Sequence, residues 1–360
     1  MRDEKEVCIE SSKSFTKKAF SFIGILFFFY LFIVSISLIK DSSVDLWGEF
    51  IRDISKNINF VNAFGIGWLF ALVLQSSGAA ISSLLALNAQ GIINPSLIPY
   101  MVFGTRIGAS MIFFLAIFMI KSLKRRDFRH TFEIGLANII YALPIAILLF
   151  FVEYFFSPFF KLSQLQIPGT LQESFSFVGL LTSPILHLAE FIPKSISLLL
   201  GFIFLVSSLN FLSKLIFNFW GEEKIKKIMN KVFKNERNSF ALGFFITLIL
   251  MSTGITITLI IPFIAKRVIN LKKALPYMIG ANLGSITDVI LGGLVVGASS
   301  IPGVLACAIF SLIGLIWLFN ISLMFNLTKY ISKRVIHVSK KRVLYFILFF
   351  VLVALALCFV

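Results

Sequence analysis

Long apolar segments separated by short, mostly basic ones run along the whole chain. Residues 20–39 and 343–360 contain no charged side chain. A helix of about 18 or more such residues, rising about 1.5 Å per residue, is long enough to cross the hydrocarbon core of a bilayer. The sequence therefore predicts an all-α polytopic membrane protein. The predicted spans are residues 20–39, 95–120, 131–152, 194–219, 274–297, 301–327 and 343–360.

Two further apolar segments, 64–90 and 240–265, are each interrupted near the middle by polar residues. The first arm of the earlier segment, Phe64 to Leu74, would be about 16 Å long as a helix, roughly half the hydrocarbon thickness. Each segment is therefore predicted to be a re-entrant helical hairpin. Residues 175–193 are apolar but contain two prolines, and we expect a partial or interfacial helix there. If this segment crossed the membrane, the two halves of the chain would be parallel.

The interruptions belong to an internal repeat. Gln75-Ser76-Ser77-Gly78 recurs as Met251-Ser252-Thr253-Gly254, and Gly104-Thr105-Arg106-Ile107-Gly108 recurs as Gly280-Ala281-Asn282-Leu283-Gly284, each 176 residues later (251 minus 75, 280 minus 104). Upstream, Trp47-Gly48-Glu49 recurs as Trp220-Gly221-Glu222 after a small change of offset. A duplicated, glycine-containing polar break in apolar sequence points to the binding site of a membrane transporter.

Composition and charge fit the same class. Hydrophobic residues make up 58% of the chain and charged residues 14%, with a mean hydropathy of +0.95, whereas soluble domains carry about 25% charged residues. The net charge of +16 could suggest a nucleic-acid partner. The basic residues, however, lie in short segments between apolar ones, and placing these segments in the cytoplasm satisfies the positive-inside rule. The charge therefore indicates topology, and no nucleic-acid partner is expected.

The same charge placement predicts how the chain is organised. It puts the N-terminal segment, residues 1–19, in the cytoplasm, predicts an interfacial amphipathic helix within Asp41–Asn62, and gives the two copies opposite orientations. The copies are then inverted-topology repeats, each with a re-entrant hairpin and spanning helices. The predicted units are repeat 1 at 20–127 with its hairpin at 64–90, a connecting span and loop at 128–193, repeat 2 at 194–298 with its hairpin at 240–265, and C-terminal spans at 299–360.

The residue types at the two interruptions suit an ion site. Serine and threonine hydroxyls can donate to an oxyanion or accept a cation, and glycine lets a ligand approach the backbone. Broken helices also present N-termini whose free N–H groups favour anions, whereas exposed C-terminal carbonyls suit sodium. Two such tips that meet inside the membrane could hold an anion and sodium together.

On these residues the chain resembles the type II sodium/phosphate cotransporters, whose repeats each carry Gln-Ser-Ser-Ser and, further along, Gly-Ala-Asn-Ile-Gly-Thr. The close matches are Gln75-Ser76-Ser77-Gly78 and Gly280-Ala281-Asn282-Leu283-Gly284-Ser285, within a resemblance that covers most of residues 20–300. The resemblance is to the bacterial type, without the soluble helical regulatory domain that often follows. The chain departs from the motifs at Gly78 and Gly254, at Met251 and at Thr105-Arg106.

The resemblance implies sodium-driven uptake of inorganic phosphate or a related small oxyanion across the inner (plasma) membrane. It implies alternating access around a midplane site that both hairpin tips form. The expected partners are the oxyanion, sodium as the coupling ion and the lipid bilayer; no cofactor is expected, and a homodimer is compatible with this scaffold. The alternatives are an exporter or channel for another small anion, or a non-transporting assembly protein. An enzyme is not expected, because neither Ser76 nor Ser252 has a histidine or carboxylate nearby in sequence.

Two charged residues stand beside the motifs. Arginine within a span costs about 2.5 to 3.5 kcal/mol on insertion scales, so such a residue usually faces a cavity or a partner. Arg106 could pair with Asp288, reach the interface, clamp the anion or replace the charge of one sodium. Asp288 could be a sodium ligand or a proton carrier, or the structural partner of Arg106.

The motifs and their polar neighbours give the expected site. Substrate or ion binding is expected at Gln75, Ser76, Ser77, Gly78, Thr105, Arg106, Ser110, Ser252, Thr253, Gly254, Thr256, Asn282, Ser285, Thr287 and Asp288. Sodium is expected at Ser76, Ser77, Ser252, Thr253 and Asp288. The three cysteines, Cys8, Cys307 and Cys358, have neither metal-site spacing nor the pattern of a disulfide framework.

Overall fold

The computed structural model describes residues 21–42, 58–111, 113–114, 125–163, 181–220, 233, 235–265, 269–336 and 340–360. These segments are helical and contain no strand, so the chain is an all-α polytopic membrane protein, as predicted. The helices are α1 (Ser21–Ser42), α2 (Phe60–Leu74), α3 (Ser77–Ala89), α4 (Ile98–Ser110), α5 (Arg125–Phe156), α6 (Pro158–Ser163), α7 (181–189), α8 (Lys194–Trp220), α9 (Glu236–Leu250), α10 (Thr253–Ala265), α11 (Leu271–Gly284), α12 (Ile286–Val296), α13 (Ile301–Ile313), α14 (Ile316–Phe319), α15 (Ile321–Ile336) and α16 (Lys340–Leu357).

Five described stretches are long and apolar enough to cross a membrane, and they coincide with five of the seven predicted spans. These stretches are Ser21–Ser42, Phe132–Phe156, Lys194–Leu212, Leu271–Val296 and Ala298–Phe319. The other two predicted spans correspond to shorter helices. The described part of 95–120 contains α4, which has 13 residues, and 343–360 contains the shorter apolar helix Arg342–Leu357.

The predicted span 301–327 is not one continuous helix in the structure. Residues 301–327 are divided into α13, α14 and α15 by turns at Gly314-Leu315 and at Asn320. Gly314 has φ of −56° and ψ of −20°, so this turn does not need the left-handed conformation in which glycine often ends a helix. Gly314 also makes room for a neighbour, because a Cβ there would overlap the Tyr141 hydroxyl of α5. A turn at Ser285 similarly separates α11 from α12 within the Leu271–Val296 stretch.

Other predictions concern residues outside the described ones. They are the cytoplasmic segment 1–19, most of the interfacial helix predicted within Asp41–Asn62, the upstream repeat motif at Trp47-Gly48-Glu49 and at Gly221-Glu222, and the first part of the segment 175–193. The described part of that last segment is α7 and the turn that follows it. At the start of α7, the Leu181 carbonyl accepts a hydrogen bond from the Tyr30 hydroxyl of α1 at 3.0 Å.

The sequence repeat is also a repeat of helices. The bounds of α2 and α9 differ by 176 residues at both ends (236 minus 60, 250 minus 74), and so do those of α3 and α10 (253 minus 77, 265 minus 89). Gln75 and Met251 end the first helix of each pair in the left-handed conformation, with φ of 52° and 51°. This conformation costs a non-glycine residue roughly 1–2 kcal/mol. Packing around both breaks must therefore hold them in place.

Glycines provide that packing by bringing α2 against α4 and α9 against α11. A Cβ at Gly67 would overlap the Met101 carbonyl oxygen, and one at Gly243 would overlap that of Tyr277, again 176 residues later. Small residues let helix backbones approach closely in membrane proteins. The same kind of backbone contact is made by Gly104 and Gly108 in the first copy and by Gly280 and Gly284 in the second.

Ion pairs join helices that are far apart in sequence. The Lys329 Nζ of α15 lies 2.7 Å from Oε2 of the buried Glu133 of α5, whose Oε1 also accepts from Arg129 Nε at 3.0 Å. A buried charge such as that of Glu133 is tolerated when it is paired in this way. A second, partly exposed pair joins α8 to α1, with Lys194 Nζ 2.7 Å from Asp41 Oδ2. The pair between Lys329 and Glu133 ties α15 to α5, which supplies one wall of the cavity described below.

Alanine at Gly67 or Gly243 should destabilise the fold, because the added methyl group would press on a neighbouring backbone that has no free volume. Overpacking of this kind typically costs about 1–3 kcal/mol. We expect a lower unfolding temperature for each variant in detergent, measured by the loss of monodisperse protein on heating. Val73→Ala, on the exposed face of α2, is the matched control. Equal unfolding temperatures for all three variants would contradict the proposed role of the glycines.

Candidate functional site

The two helix breaks open onto one cavity. About 50 Å³ of it is accessible to the centres of water-sized molecules, whereas one water needs roughly 10–15 Å³ on the same measure. The cavity therefore has room for a few waters or a small ion. Its lining residues come from both breaks and from α4, α5, α8, α11, α12 and α13: Gln75, Ser76, Ser77, Arg106, Ala109, Phe113, Asn138, Ala142, Leu209, Asn210, Met251, Ser252, Thr253, Gly254, Asn282, Asp288 and Phe310.

The helices α3 and α10 each begin at this cavity with a serine cap. Ser76 Oγ accepts the N–H of Ala79 at 3.1 Å, and Ser252 Oγ accepts the N–H of Ile255 at 3.3 Å. Each hydroxyl keeps its own hydrogen to donate, and the other first-turn N–H groups have no partner within the helix. The cavity therefore receives the partially positive ends of two helices.

Arg106 brings a full positive charge to the same cavity. The side chain is 5% exposed, and its guanidinium lies 5.2 Å from the centre of the Phe310 ring. It donates to three oxygens: from Nη1 to Ser285 Oγ at 3.1 Å, and from Nη2 to the Asn282 carbonyl at 3.2 Å and to Ser311 Oγ at 2.6 Å. Among the described residues no ion pair joins Arg106 to Asp288. The alternative in which these two side chains form a direct salt bridge is therefore wrong.

Asp288 lies at the cavity against the first helix break. It is 4% exposed, and its Oδ1 accepts no hydrogen bond from the described residues. A Cβ at Gly78 would overlap its Oδ2, whereas a Cβ at the equivalent Gly254 would meet only Ser252 Oγ, at 3.9 Å. The two glycines that replace serine in the motifs therefore differ in role. Gly78 makes room for a carboxylate, while Gly254 leaves open space.

A chain of amide and hydroxyl groups connects the two copies beside Arg106. Asn282 Nδ2 donates to Asn138 Oδ1 at 2.8 Å, Asn138 Nδ2 donates to Ser110 Oγ at 3.1 Å, and Ser110 Oγ donates to the Arg106 carbonyl at 3.0 Å. These groups are buried, so leaving any of them without a hydrogen bond would be costly. The network therefore holds the side chains in one orientation. The amide of Asn282 is thus linked through Asn138 of α5 and Ser110 to the backbone of Arg106 in the first copy.

Most of the expected site residues lie on the cavity surface, and the rest do not line it. Those on the surface are Gln75, Ser76, Ser77, Arg106, Ser252, Thr253, Gly254, Asn282 and Asp288. Those that do not line it are Gly78, Thr105, Ser110, Thr256, Ser285 and Thr287. The hydroxyls of Thr105, Ser110 and Thr287 donate to backbone carbonyls three or four residues earlier, and Ser285 accepts from Arg106. These side chains could influence the cavity only through their neighbours.

Sequence reasoning missed several residues of the cavity. Asn138 and Asn210 each lie within a predicted span, and a polar amide there is a signal that could have found them. Ser311 lies behind the surface and was missed although its hydroxyl makes the shortest hydrogen bond to Arg106. The apolar lining residues, such as Phe113 and Phe310, gave no signal, because an apolar residue in a span is expected anywhere.

Comparison with known proteins identifies the family of the chain. A sequence model of the Na+/Pi-cotransporter family matches residues 31–181 and 199–358, which is most of the chain. No match was found among curated proteins or solved structures.

The contact between Gly78 and Asp288 predicts a difference between two equivalent glycines. Gly78→Ala should lower the unfolding temperature, because the new methyl group overlaps the carboxylate, and overpacking typically costs about 1–3 kcal/mol. Gly254→Ala, in the same position of the other copy, should unfold close to the native protein. Adding Asp288→Ala to Gly78→Ala should restore part of the lost stability. Equal effects of the two glycine substitutions, or strictly additive effects of Gly78→Ala and Asp288→Ala, would contradict the contact.

Proposed function

Since the chain belongs to the Na+/Pi-cotransporter family, we propose that this multi-pass membrane protein carries inorganic phosphate, or a closely related small oxyanion, together with sodium across the plasma membrane. The substrate would bind in the cavity between the two helix breaks. The observation that carries this proposal is that two capped helix N-termini and one buried arginine converge on the same small space.

The electrostatics of the cavity favour an anion. Each helix N-terminus contributes roughly half a positive charge, and Arg106 contributes the full charge of a guanidinium. The Ser76 and Ser252 hydroxyls and the free N–H groups of α3 and α10 could donate to phosphate oxygens from two sides. Asp288 is the only acidic side chain on the described lining, so these positive contributions outweigh the negative one.

Sodium would bind beside the anion. Asp288 has an oxygen without a hydrogen-bond partner among the described residues, and the hydroxyl oxygens of Ser77 and Thr253 lie on the same cavity. Hydroxyl, carbonyl and carboxylate oxygens at broken helices are the ligands that transporters use for sodium. In this proposal sodium is held by Asp288 with hydroxyls from Ser76, Ser77, Ser252 and Thr253, and it helps to neutralise the transported anion.

The helix lengths support re-entrant hairpins and inverted repeats as part of the proposal. The helices α2 and α9 have 15 residues each and would be about 22 Å long, shorter than a hydrocarbon core of about 30 Å. If each enters from a different side, as the charge pattern predicts, their breaks would meet near the midplane. Motion of one repeat against the other would then open the cavity to each side in turn.

Uptake of radioactive phosphate into proteoliposomes tests this function. We expect the purified native protein to take up phosphate only when an inward sodium gradient is present. Phosphate inside the liposomes should then exceed its equilibrium concentration. A channel would equilibrate phosphate without such accumulation, an exporter would show the opposite direction, and an assembly protein would be inactive. Uptake that is the same with and without sodium would overturn the proposal.

Ser76→Ala and Ser252→Ala should each weaken phosphate uptake, because each removes a hydroxyl donor from the cavity. A hydrogen bond to a charged group contributes about 1.5–3 kcal/mol, so the apparent KM for phosphate should rise roughly 10- to 100-fold, at about 1.4 kcal/mol per tenfold. Ser299→Ala, at an exposed position away from the cavity, is the control. An unchanged KM in both cap variants would argue against a substrate site at the helix breaks.

Asp288→Asn should weaken cation coupling while leaving the amount of folded protein unchanged, because asparagine has nearly the same size beside Gly78. We expect the half-saturating sodium concentration for phosphate uptake to rise about tenfold or more, equivalent to about 1.4 kcal/mol of lost cation binding. Asp41→Asn, in the half-exposed ion pair with Lys194, is the matched control. Native sodium dependence in Asp288→Asn would refute the role of this carboxylate.

A further inference from the structure

We infer that the Arg106 guanidinium is a tethered cation that fills a three-oxygen cation site, so that the native protein needs one sodium fewer for each anion than it would with a neutral residue there. This inference rests on the proposed function and concerns the ion ratio of the same site. It selects one of the roles that the sequence left open for Arg106, namely replacement of a sodium charge.

The partners of the guanidinium are those of a small cation. All three acceptors are uncharged oxygens, one backbone carbonyl and two hydroxyls, at 3.2, 3.1 and 2.6 Å. No carboxylate among the described residues pairs with Arg106. The Asn282 carbonyl lies beside the turn at Ser285, and backbone carbonyls at broken helices coordinate sodium in transporters. The Ser285 and Ser311 hydroxyls have lone pairs that can also face a cation. The guanidinium therefore occupies a pocket of oxygens that a mobile monovalent cation could use.

The internal repeat allows Arg106 to be compared with the equivalent residue of the other copy. Position 106 of the first copy corresponds to position 282 of the second (282 minus 106 is 176), where the residue is the neutral Asn282. Arg106 donates to the backbone carbonyl of this same Asn282, so the two equivalent residues meet where the copies join. One copy thus carries a permanent positive charge at a position where the other copy has a neutral amide.

The hydrogen bonds argue against a role as a direct clamp on the anion. A guanidinium has five N–H donors, and three of those on Arg106 are directed to oxygens of the second copy and of α13. Two of the acceptors, Ser285 and Ser311, do not line the cavity. These hydrogen bonds direct the guanidinium away from the middle of the cavity, where the substrate would bind. Arg106 still lines the cavity, so its positive charge can offset that of a bound anion.

The test compares Arg106→Asn, which installs the residue of the other copy, with Arg106→Lys, which keeps the charge. In Arg106→Asn the vacated oxygens should bind one more sodium. A Hill coefficient is limited by the number of coupled sites. The Hill coefficient for sodium, measured from phosphate uptake, should therefore rise by about one. The net charge carried per phosphate, obtained from reversal potentials in proteoliposomes, should rise by about one elementary charge. Arg106→Lys should keep both native values, and Arg334→Asn, at an exposed position of α15, is the control.

A second measurement separates a tethered cation from an anion clamp. In Arg106→Asn the apparent phosphate affinity should be much lower than native at low sodium and should approach the native value at saturating sodium, since sodium then replaces the lost charge. A clamp would lose phosphate affinity at every sodium concentration. Arg106→Gln, a second neutral variant, repeats the measurement if Arg106→Asn yields too little folded protein.

Ser311→Ala locates the additional sodium. In the native background it removes one guanidinium contact and should change the sodium dependence little. In the Arg106→Asn background it removes a sodium ligand and should raise the half-saturating sodium concentration several-fold, roughly the effect of one lost hydrogen bond of about 1 kcal/mol. Equal effects in both backgrounds would overturn the assignment of this oxygen to a cation site.

The outcomes distinguish this inference from the function on which it rests. If native protein shows no sodium-dependent phosphate uptake, the proposed function fails. If native uptake is coupled to sodium but Arg106→Asn keeps the native Hill coefficient and the native charge per phosphate, the function stands and the tethered cation is refuted.

Discussion

An interrupted helix inside apolar surroundings is tolerated only where its free backbone groups are capped, buried in protein or open to a wet cavity. This constraint applies at the two breaks of the repeat, Gln75 and Met251, where left-handed residues end α2 and α9. Serine caps satisfy part of each following helix N-terminus, and first-turn residues of both helices line the cavity. Glycine contacts with α4 and α11 hold both breaks in position. The cavity exists because both breaks satisfy the constraint in one place.

The two copies have equivalent helices at the breaks but differ in their buried charged residues. Arg106 corresponds to Asn282, and Asp288 corresponds in sequence to the apolar Ile112 (288 minus 112 is also 176). Each copy therefore contributes one buried charge, of opposite sign, to a cavity whose helix ends are otherwise equivalent. The charges do not form an ion pair with each other among the described residues. In the proposed transport cycle these two charges set how many cations accompany an anion.

Much of the fold was predictable because a membrane limits the possible structures. Apolar length gave the all-α class and five spans, and the constant offset of 176 gave the equivalence of α2 with α9 and of α3 with α10. The breaks were predicted at the correct residues, since serine and glycine in an apolar run are local signals. The division of 301–327 was not predicted. Gly314 lies at the turn after α13, where a Cβ would overlap the Tyr141 hydroxyl of α5, and no local pattern reports such a contact.

The sequence by itself determined the membrane class, the repeat and most of the side chains at the candidate site, since each depends on local polarity within apolar sequence. Only the tertiary structure decided which of these residues face one cavity, because that depends on contacts between segments far apart in the chain. It directed Arg106 to oxygens of Ser285 and Ser311 instead of to Asp288. It also explained why residue 78 is a glycine. The Asp288 carboxylate fills the space that a side chain would need there, and Asp288 lies more than 200 positions later in the chain.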